Sequence, residues 1–141
     1  MPPNVVMDTN VLVSALRSRN GASFRFLSLI GSGKFSLSVS VPLVLEYEAV
    51  TKRQSRYTGL TAKETDSVID YICKVAGHYK VYYLWRPFLK DSKDDMVLEL
   101  AVSSSADAIV TFNVSHFRGS EQFGIRVVNP GEFLRQIGEL P

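Results

Sequence analysis

The stretch that most constrains this chain is Val5-Val6-Met7-Asp8-Thr9-Asn10-Val11-Leu12. Apolar, β-favouring residues run straight into an acid, a hydroxyl and an amide, and the chain then turns apolar again at helical spacing. Val5 to Met7 reads as a buried first strand, with Val11, Leu12 and Leu16 on the following helix. Asp8, Thr9 and Asn10 then fall at the strand's carboxyl end, the edge at which open α/β sheets bind ligands. Helix capping by Asp8 or Thr9 explains the same residues, and one acid alone does not separate the two explanations.

Later segments repeat the alternation. Phe35-Ser36-Leu37-Ser38-Val39-Ser40 has the period of two of a strand. Val41-Pro42 opens a helix running through Glu46 towards Lys52, because proline fits a first turn. Residues 53–59 read as a polar loop. Thr61-Ala62-Lys63-Glu64 matches a capping box, and Val68, Ile69, Ile72 and Val75 face inward on the helix it starts, which Gly77 or His78 ends. Residues 79–85 read as a strand, 86–93 as an irregular connection, and Asp94 as the start of another helix, with Met96, Val97, Leu100 and Ala101 inside. A short strand spans 106–111, a loop or short turn 113–117 and a last strand 125–128. Asn129-Pro130-Gly131-Glu132 then opens a final helix bearing Phe133, Leu134 and Ile137. This order predicts one α/β domain over residues 1–141, with a central, mostly parallel sheet covered on both faces.

Composition sets outer limits. A chain of 141 residues, 45% hydrophobic and 21% charged, fits a soluble globular domain with its own core. A net charge of +2 permits a nucleic-acid partner without demanding one. The single cysteine, Cys73, excludes an internal disulfide and any zinc site built on two thiolates; its apolar neighbours predict a buried thiol. Met1-Pro2-Pro3 has no signal-peptide pattern, and no apolar run approaches the roughly 20 residues of a membrane span, so a cytoplasmic location is expected. Gly31-Ser32-Gly33-Lys34 lacks the spacing of a phosphate loop, and no G-x-S-x-G elbow is present.

Four polar points share one place in the predicted topology. Asp8 follows the first strand, and Glu46 lies in the helix after the second. Asp94 and Asp95 start the helix after the third, and Thr111 and Asn113 follow the fourth. In a parallel sheet these ends share one edge. Carboxylates gathered there raise one another's pKa values, and hard divalent ions such as Mg²⁺ or Mn²⁺ relieve the repulsion through oxygen ligands. One or two such ions support phosphodiester cleavage, with phosphomonoester hydrolysis as the runner-up. Glu46 sits within an apolar run, where a free carboxylate is expensive. Asp94 and Asp95 also suit a helix start electrostatically. Glu99, four residues after Asp95, shares its face or lies at the surface. Asp91 reads as loop and Asp107 as a turn residue.

Taken together, Met7-Asp8-Thr9-Asn10-Val11-Leu12, Val41-Pro42 with Leu45-Glu46, Asp91-Ser92-Lys93-Asp94-Asp95 with Leu98-Glu99-Leu100-Ala101, and residues 106–113 with His116-Phe117 resemble the four motifs of the PIN-domain nucleases. The resemblance spans Val5 to Phe133 and is best to the small, single-domain, VapC-like toxins of toxin–antitoxin pairs. It implies a three-layer α/β/α sandwich and an endoribonuclease dependent on one or two Mg²⁺ or Mn²⁺ ions. It also implies a dimer or higher homo-oligomer and a co-encoded antitoxin. Asp8, Glu46 and Asp94 or Asp95 carry over as the acidic set. Asn113 stands where the family often has aspartate, which removes a charge from the second-metal position. Thr9, Asn10 and Thr111 would be supporting polar groups, with Glu99 as a second choice.

Other classes fit less well. A haloacid-dehalogenase-like phosphatase needs an acid two residues after Asp8, where this chain has Asn10. A receiver domain needs an early acid pair and a late lysine. A non-cutting scaffold that binds RNA or a partner is the other class, and the neutral Asn113 is what favours it. His78 and His116 are too few and too far apart for a metal or triad assignment. The aromatic residues Tyr79, Tyr82, Tyr83, Trp85 and Phe88 read as core and subunit interface rather than a base-stacking surface. Arg17, Arg19 and Arg25, and Lys52, Arg53 and Arg56, form two basic clusters at helix ends, with Arg17, Arg19, Lys52 and Arg53 as the candidates for RNA phosphates. Charge reversal at Arg17 and Arg19 is expected to weaken RNA binding and to flatten its dependence on salt; an unchanged slope in a salt titration would count against that role.

Overall fold

The computed structural model describes residues 2–81 and 88–141. Its five strands are all parallel, in the order β3-β2-β1-β4-β5: β1 (Asn4–Met7), β2 (Ser36–Val39), β3 (Gly77–His78), β4 (Ala108–Val110) and β5 (Arg126–Val128). The helices between them are α1 (Thr9–Arg17), α2 (Ala22–Ser28), α3 (Val41–Arg53), α4 (Ser55–Thr58), α5 (Ala62–Val75), α6 (Ser92–Ser103) and α7 (Pro130–Gln136). Two 3-10 turns, Val114–Phe117 and Ser120–Phe123, link β4 to β5.

Val5, Val6 and Met7 are all buried, as are Ala108, Ile109 and Val110. Successive strand side chains point to opposite faces, so both faces of the sheet are covered, as the three-layer α/β/α reading expects. Helix α6 packs directly on β1, β2 and β4, while α1 packs on α2 and α3, and α2 on α7. Phe26 on α2, Phe35 ahead of β2 and Phe133 on α7 form an aromatic cluster. Phe26 and Phe35 stack with centroids 4.8 Å apart, and Phe133 meets both edge-on.

Most helix starts follow the local chemistry legible in the sequence. Ser40 caps α3 by accepting from the Leu43 N–H. Thr61 and Glu64 complete their capping box at the start of α5, and Asn129 caps α7. Several boundaries differ from expectation. Asp91 is not simple loop: it caps α6 by accepting from the Lys93 N–H, so the helix begins at Ser92 and Asp94 and Asp95 sit within its first turn. The polar stretch 53–59 holds the short helix α4, which Gly59 closes at φ 75°; it lacks apolar periodicity because only Thr58 of the four is buried. Gly77 and His78 do not end α5 but pair with Ser38 and Val39 as β3, and the Tyr79 N–H continues to the Val39 carbonyl. The rest of the strand expected over 79–85 lies outside the described residues, as do Tyr82, Tyr83 and Trp85. Tyr79 and Phe88, read as core and subunit interface, are substantially exposed in the single chain, and Cys73, expected to be buried, is only partly so. Among the described residues no helix is long and apolar enough to cross a membrane.

The aromatic cluster ties α2 and α7 to the sheet. Phe26→Ala is expected to cost about 3–5 kcal/mol of stability, read as a lower midpoint in urea denaturation; a change below about 1 kcal/mol would mean that the neighbouring rings collapse into the space.

Candidate active site

Parallel pairing of β1 with β4 aligns Met7 with Val110, and the Asp8 N–H donates to the Val110 carbonyl at 2.9 Å. Asp8 and Thr111 therefore leave the sheet side by side. The Thr111 hydroxyl, wholly buried, donates to Asp8 Oδ2 at 2.8 Å, and the Thr9 N–H donates to Asp8 Oδ1 at 2.9 Å. Asp8 is thus both the helix cap and a cleft residue, so the two explanations of its position are compatible. Burial pushes its carboxyl above the ordinary value; the bonds from Thr111 and Thr9 oppose that, and the charge of Glu46 adds to it.

Glu46 enters from α3, partly buried, and accepts a short hydrogen bond from the Thr9 hydroxyl. The next residue, Tyr47, is fully buried and donates its phenol to the Met7 carbonyl, fastening α3 to the end of β1. Burial and the charges of Asp8 and Glu46 raise its pKa well above the ordinary range, so it stays a donor. The sequence reading passed over Tyr47, although its spacing of four from Leu43 and from the buried Thr51 marks it as the inner face of α3.

The adjacent acids of α6 part company. Asp94 lines the cleft with Asp8 and Glu46. Burial pushes its carboxyl up to about 6, helped by the charges of Asp8 and Asp91 and opposed by His116. Asp95 is 1% exposed and does not line the cleft; it accepts the Leu89 N–H at 2.8 Å and the Phe88 N–H at 3.3 Å. Its carboxylate thus anchors the preceding backbone, and of the two adjacent acids only Asp94 lines the cleft. Glu99 is also buried and does not line the cleft. Nearly every side chain from Asp94 to Ala101 is buried, which removes the helical phase that would have told Asp94 from Asp95 in sequence.

Asn113 lines the cleft, and its N–H donates to Thr111 Oγ1 at 3.0 Å. Asn10 lines it too; its Oδ1 accepts the Phe112 N–H at 3.3 Å and its Nδ2 stands 3.5 Å from Thr111 Oγ1. His116, set aside in the sequence reading, also lines the cleft, with Nδ1 3.5 Å from Asp94 Oδ2. The cleft encloses about 770 Å³. All of its acidic and amide groups are oxygen donors of the kind hard cations prefer. Among the described residues, no three His, Cys, Asp or Glu side chains converge tightly enough to hold an ion directly.

The proposed phosphate-binding cations scatter. The Arg17 guanidinium lies 4.2 Å above the Tyr57 ring, and that ring lines the cleft. Arg19 lies in a separate depression with Phe24 and Leu140. Lys52 is paired with Asp66 at 2.8 Å and Glu48 at 3.9 Å, so its charge is largely answered within the chain. Arg53 is exposed but does not line the cleft. Lys93, which the sequence reading missed, does line it. An adjoining depression shares Asp91, Asp94 and His116 and adds Lys90 and Arg118.

A family model described as PIN domain matches residues 4–115. No curated protein sequence matches the chain significantly. Among solved structures, a chain of VapBC2 from Rickettsia felis, crystallised bound to a DNA fragment from its promoter, superposes with a TM-score of 0.61. The match covers 89% of this chain and 98% of that one at 13% identity, a likeness of fold.

The raised Asp94 carboxyl makes stability depend on pH. Its folded-state value, about 6, stands above the ordinary 3.8, so the stability contributed by the protonated group is present below that window and lost as pH rises through it. In EDTA, Asp94→Asn is expected to match the wild type near pH 4 and to exceed its melting temperature by about 2–4 °C near pH 7.5. A melting-temperature gap that stays constant across this range would contradict the electrostatic cause.

Proposed function

The chain belongs to the PIN-domain family, and on that premise we propose that it is a divalent-metal-dependent endoribonuclease, the toxin of a type II toxin–antitoxin pair. The observation that carries this is the meeting of Asp8, Glu46 and Asp94, from three separate elements, in one cleft where two of the three carboxyls are pushed upward. Burial is the main cause and the neighbouring carboxylates add to it; a cation would favour the ionised forms against both, and the donors suit Mg²⁺ or Mn²⁺. Magnesium usually keeps several waters and takes only one or two carboxylates directly, which fits acids that line a bowl without closing on one point. Asp8, Glu46 and Asp94 would hold the ion or ions, with Asn113 as a neutral fourth donor. When bound, such an ion activates water and stabilises the leaving oxygen in phosphodiester cleavage.

The chain's own groups have distinct tasks. Thr111 and the Thr9 N–H orient Asp8, the Thr9 hydroxyl orients Glu46, and Asn10 steadies the segment after β4. Asp95 holds the backbone at Phe88 and Leu89 rather than substrate. His116 and Lys93 supply polar hydrogen at the cleft, beside Asp94 and at its rim. Arg17 contributes to RNA binding through Tyr57. A homodimer, a co-encoded antitoxin and a cytoplasmic location belong to the same proposal, supported by the family and by the fold shared with VapBC2.

The test is a cleavage assay on RNA with Mg²⁺, Mn²⁺ or EDTA. Loss of an outer-shell partner typically costs about 10- to 100-fold, so Thr111→Val is expected in that range and Asp8→Asn and Glu46→Gln beyond it. Cleavage that survives EDTA, or wild-type rates in both carboxylate variants, would refute the assignment. Wild-type RNA binding with no cleavage under any metal condition would favour the non-cutting scaffold, to which the neutral Asn113 also points.

A further inference from the structure

Two aromatic rings in the cleft have no part in holding the acids. Tyr57, on α4, and Phe112, just beyond β4, are each 49% exposed, and both line the same concave surface as Asp8, Glu46 and Asp94. Single exposed aromatics are ordinary on protein surfaces. Two from unrelated elements, flanking one acidic floor, are not accounted for by packing, since the buried aromatic cluster lies elsewhere, on α2, α7 and the approach to β2.

Each is also held in place. Arg17 lies 4.2 Å over the Tyr57 ring, so the ring carries a cation on one side while remaining part of the cleft wall. Phe112 is fixed through its backbone, whose N–H donates to Asn10 Oδ1 at 3.3 Å. Its neighbours in sequence are Thr111, bonded to Asp8, and Asn113. A platform anchored to the acidic residues keeps a fixed relation to them.

We propose that Tyr57 and Phe112 are base-stacking residues that restrict the substrate to unpaired RNA, with Arg17 positioning the Tyr57 ring. This deepens the nuclease reading and rests on it. Bases in a duplex are already stacked on both faces; bases in loops, bulges and single strands can be splayed onto aromatic rings. Stacking tolerates any base, because each has a π-face, so these rings select for strand state rather than sequence. Lys93 at the cleft supplies a positive charge for the phosphates between stacked bases.

The experiment uses the full chain carrying Asp8→Asn, in Mg²⁺, so that RNA is bound without being cut. Two probes share one sequence: a short single-stranded RNA with a central 2-aminopurine, and the same strand annealed to its complement. Affinity is read by anisotropy and stacking by 2-aminopurine quenching. Tyr57→Ala and Phe112→Ala are each expected to weaken single-strand binding about 5- to 100-fold and to reduce quenching, with duplex affinity altered less than about 2-fold. Tyr57→Phe should behave as the parent and Tyr57→Leu as the alanine variant, since only an aromatic face stacks. Both sites are half exposed, and melting temperatures matching the parent establish that the variants fold.

Equal losses on both probes, full affinity with intact quenching in Tyr57→Leu, or no loss in either alanine variant would overturn the stacking role. The nuclease reading fails separately. A wild type that cleaves no RNA while the stacking signals appear defeats catalysis and leaves the platform standing; a wild type that cleaves RNA while both alanine variants bind as the parent defeats the platform alone.

Discussion

Parallel pairing between β1 and β4 is the constraint from which the site follows. With Met7 beside Val110, the next residue of each strand leaves the sheet at the same edge, and a single hydroxyl, Thr111 Oγ1, joins them by donating to Asp8 and accepting from the Asn113 N–H. A slip of one residue would turn buried side chains to the opposite face and part the two groups. Both faces of β1 and β4 are packed with apolar residues, so the register is strongly specified. The precision of the cleft is therefore inherited from the core.

Around that junction the acids are oriented by neutral donors. Hydroxyls and backbone N–H groups hold Asp8, and the Thr9 hydroxyl holds Glu46. None of these bonds cancels the charge, and the cleft stays electronegative. Cations stand nearby but at its margins: Lys93 lines it, Arg17 is held over Tyr57, and Lys52 is answered by Asp66 and Glu48. A negative floor with a partly basic, partly aromatic margin is consistent with a cation below and a polyanion above.

Helix α6 shows how one turn of chain divides labour. Asp91 caps the helix, Asp94 faces the cleft, and Asp95 holds the preceding backbone. Three acids within five residues would read as one charge cluster on a surface. In the fold, burial raises the Asp94 carboxyl, helped by the charges of Asp8, Asp91 and Glu46.

Much was legible in the sequence because it rests on local periodicity and caps. The alternation of Phe35 to Ser40, the Thr61–Glu64 capping box, and the apolar-to-polar step at Met7–Asp8 each specify an element or its end, and their order implies a parallel sheet with one ligand edge. Asp8, Glu46 and Thr111 could be placed at that edge from topology alone. Tertiary structure decided what periodicity cannot encode. Asp94 was separated from Asp95 by packing on a helix buried nearly all round; Tyr47, Tyr57, Phe112, His116 and Lys93 were brought to the cleft, and Arg19, Lys52 and Glu99 were kept out of it. Those outcomes depend on contacts between residues tens of positions apart, such as Thr111 with Asp8 and Arg17 with Tyr57, whose partners are fixed only when the sheet register and helix packing bring distant segments together.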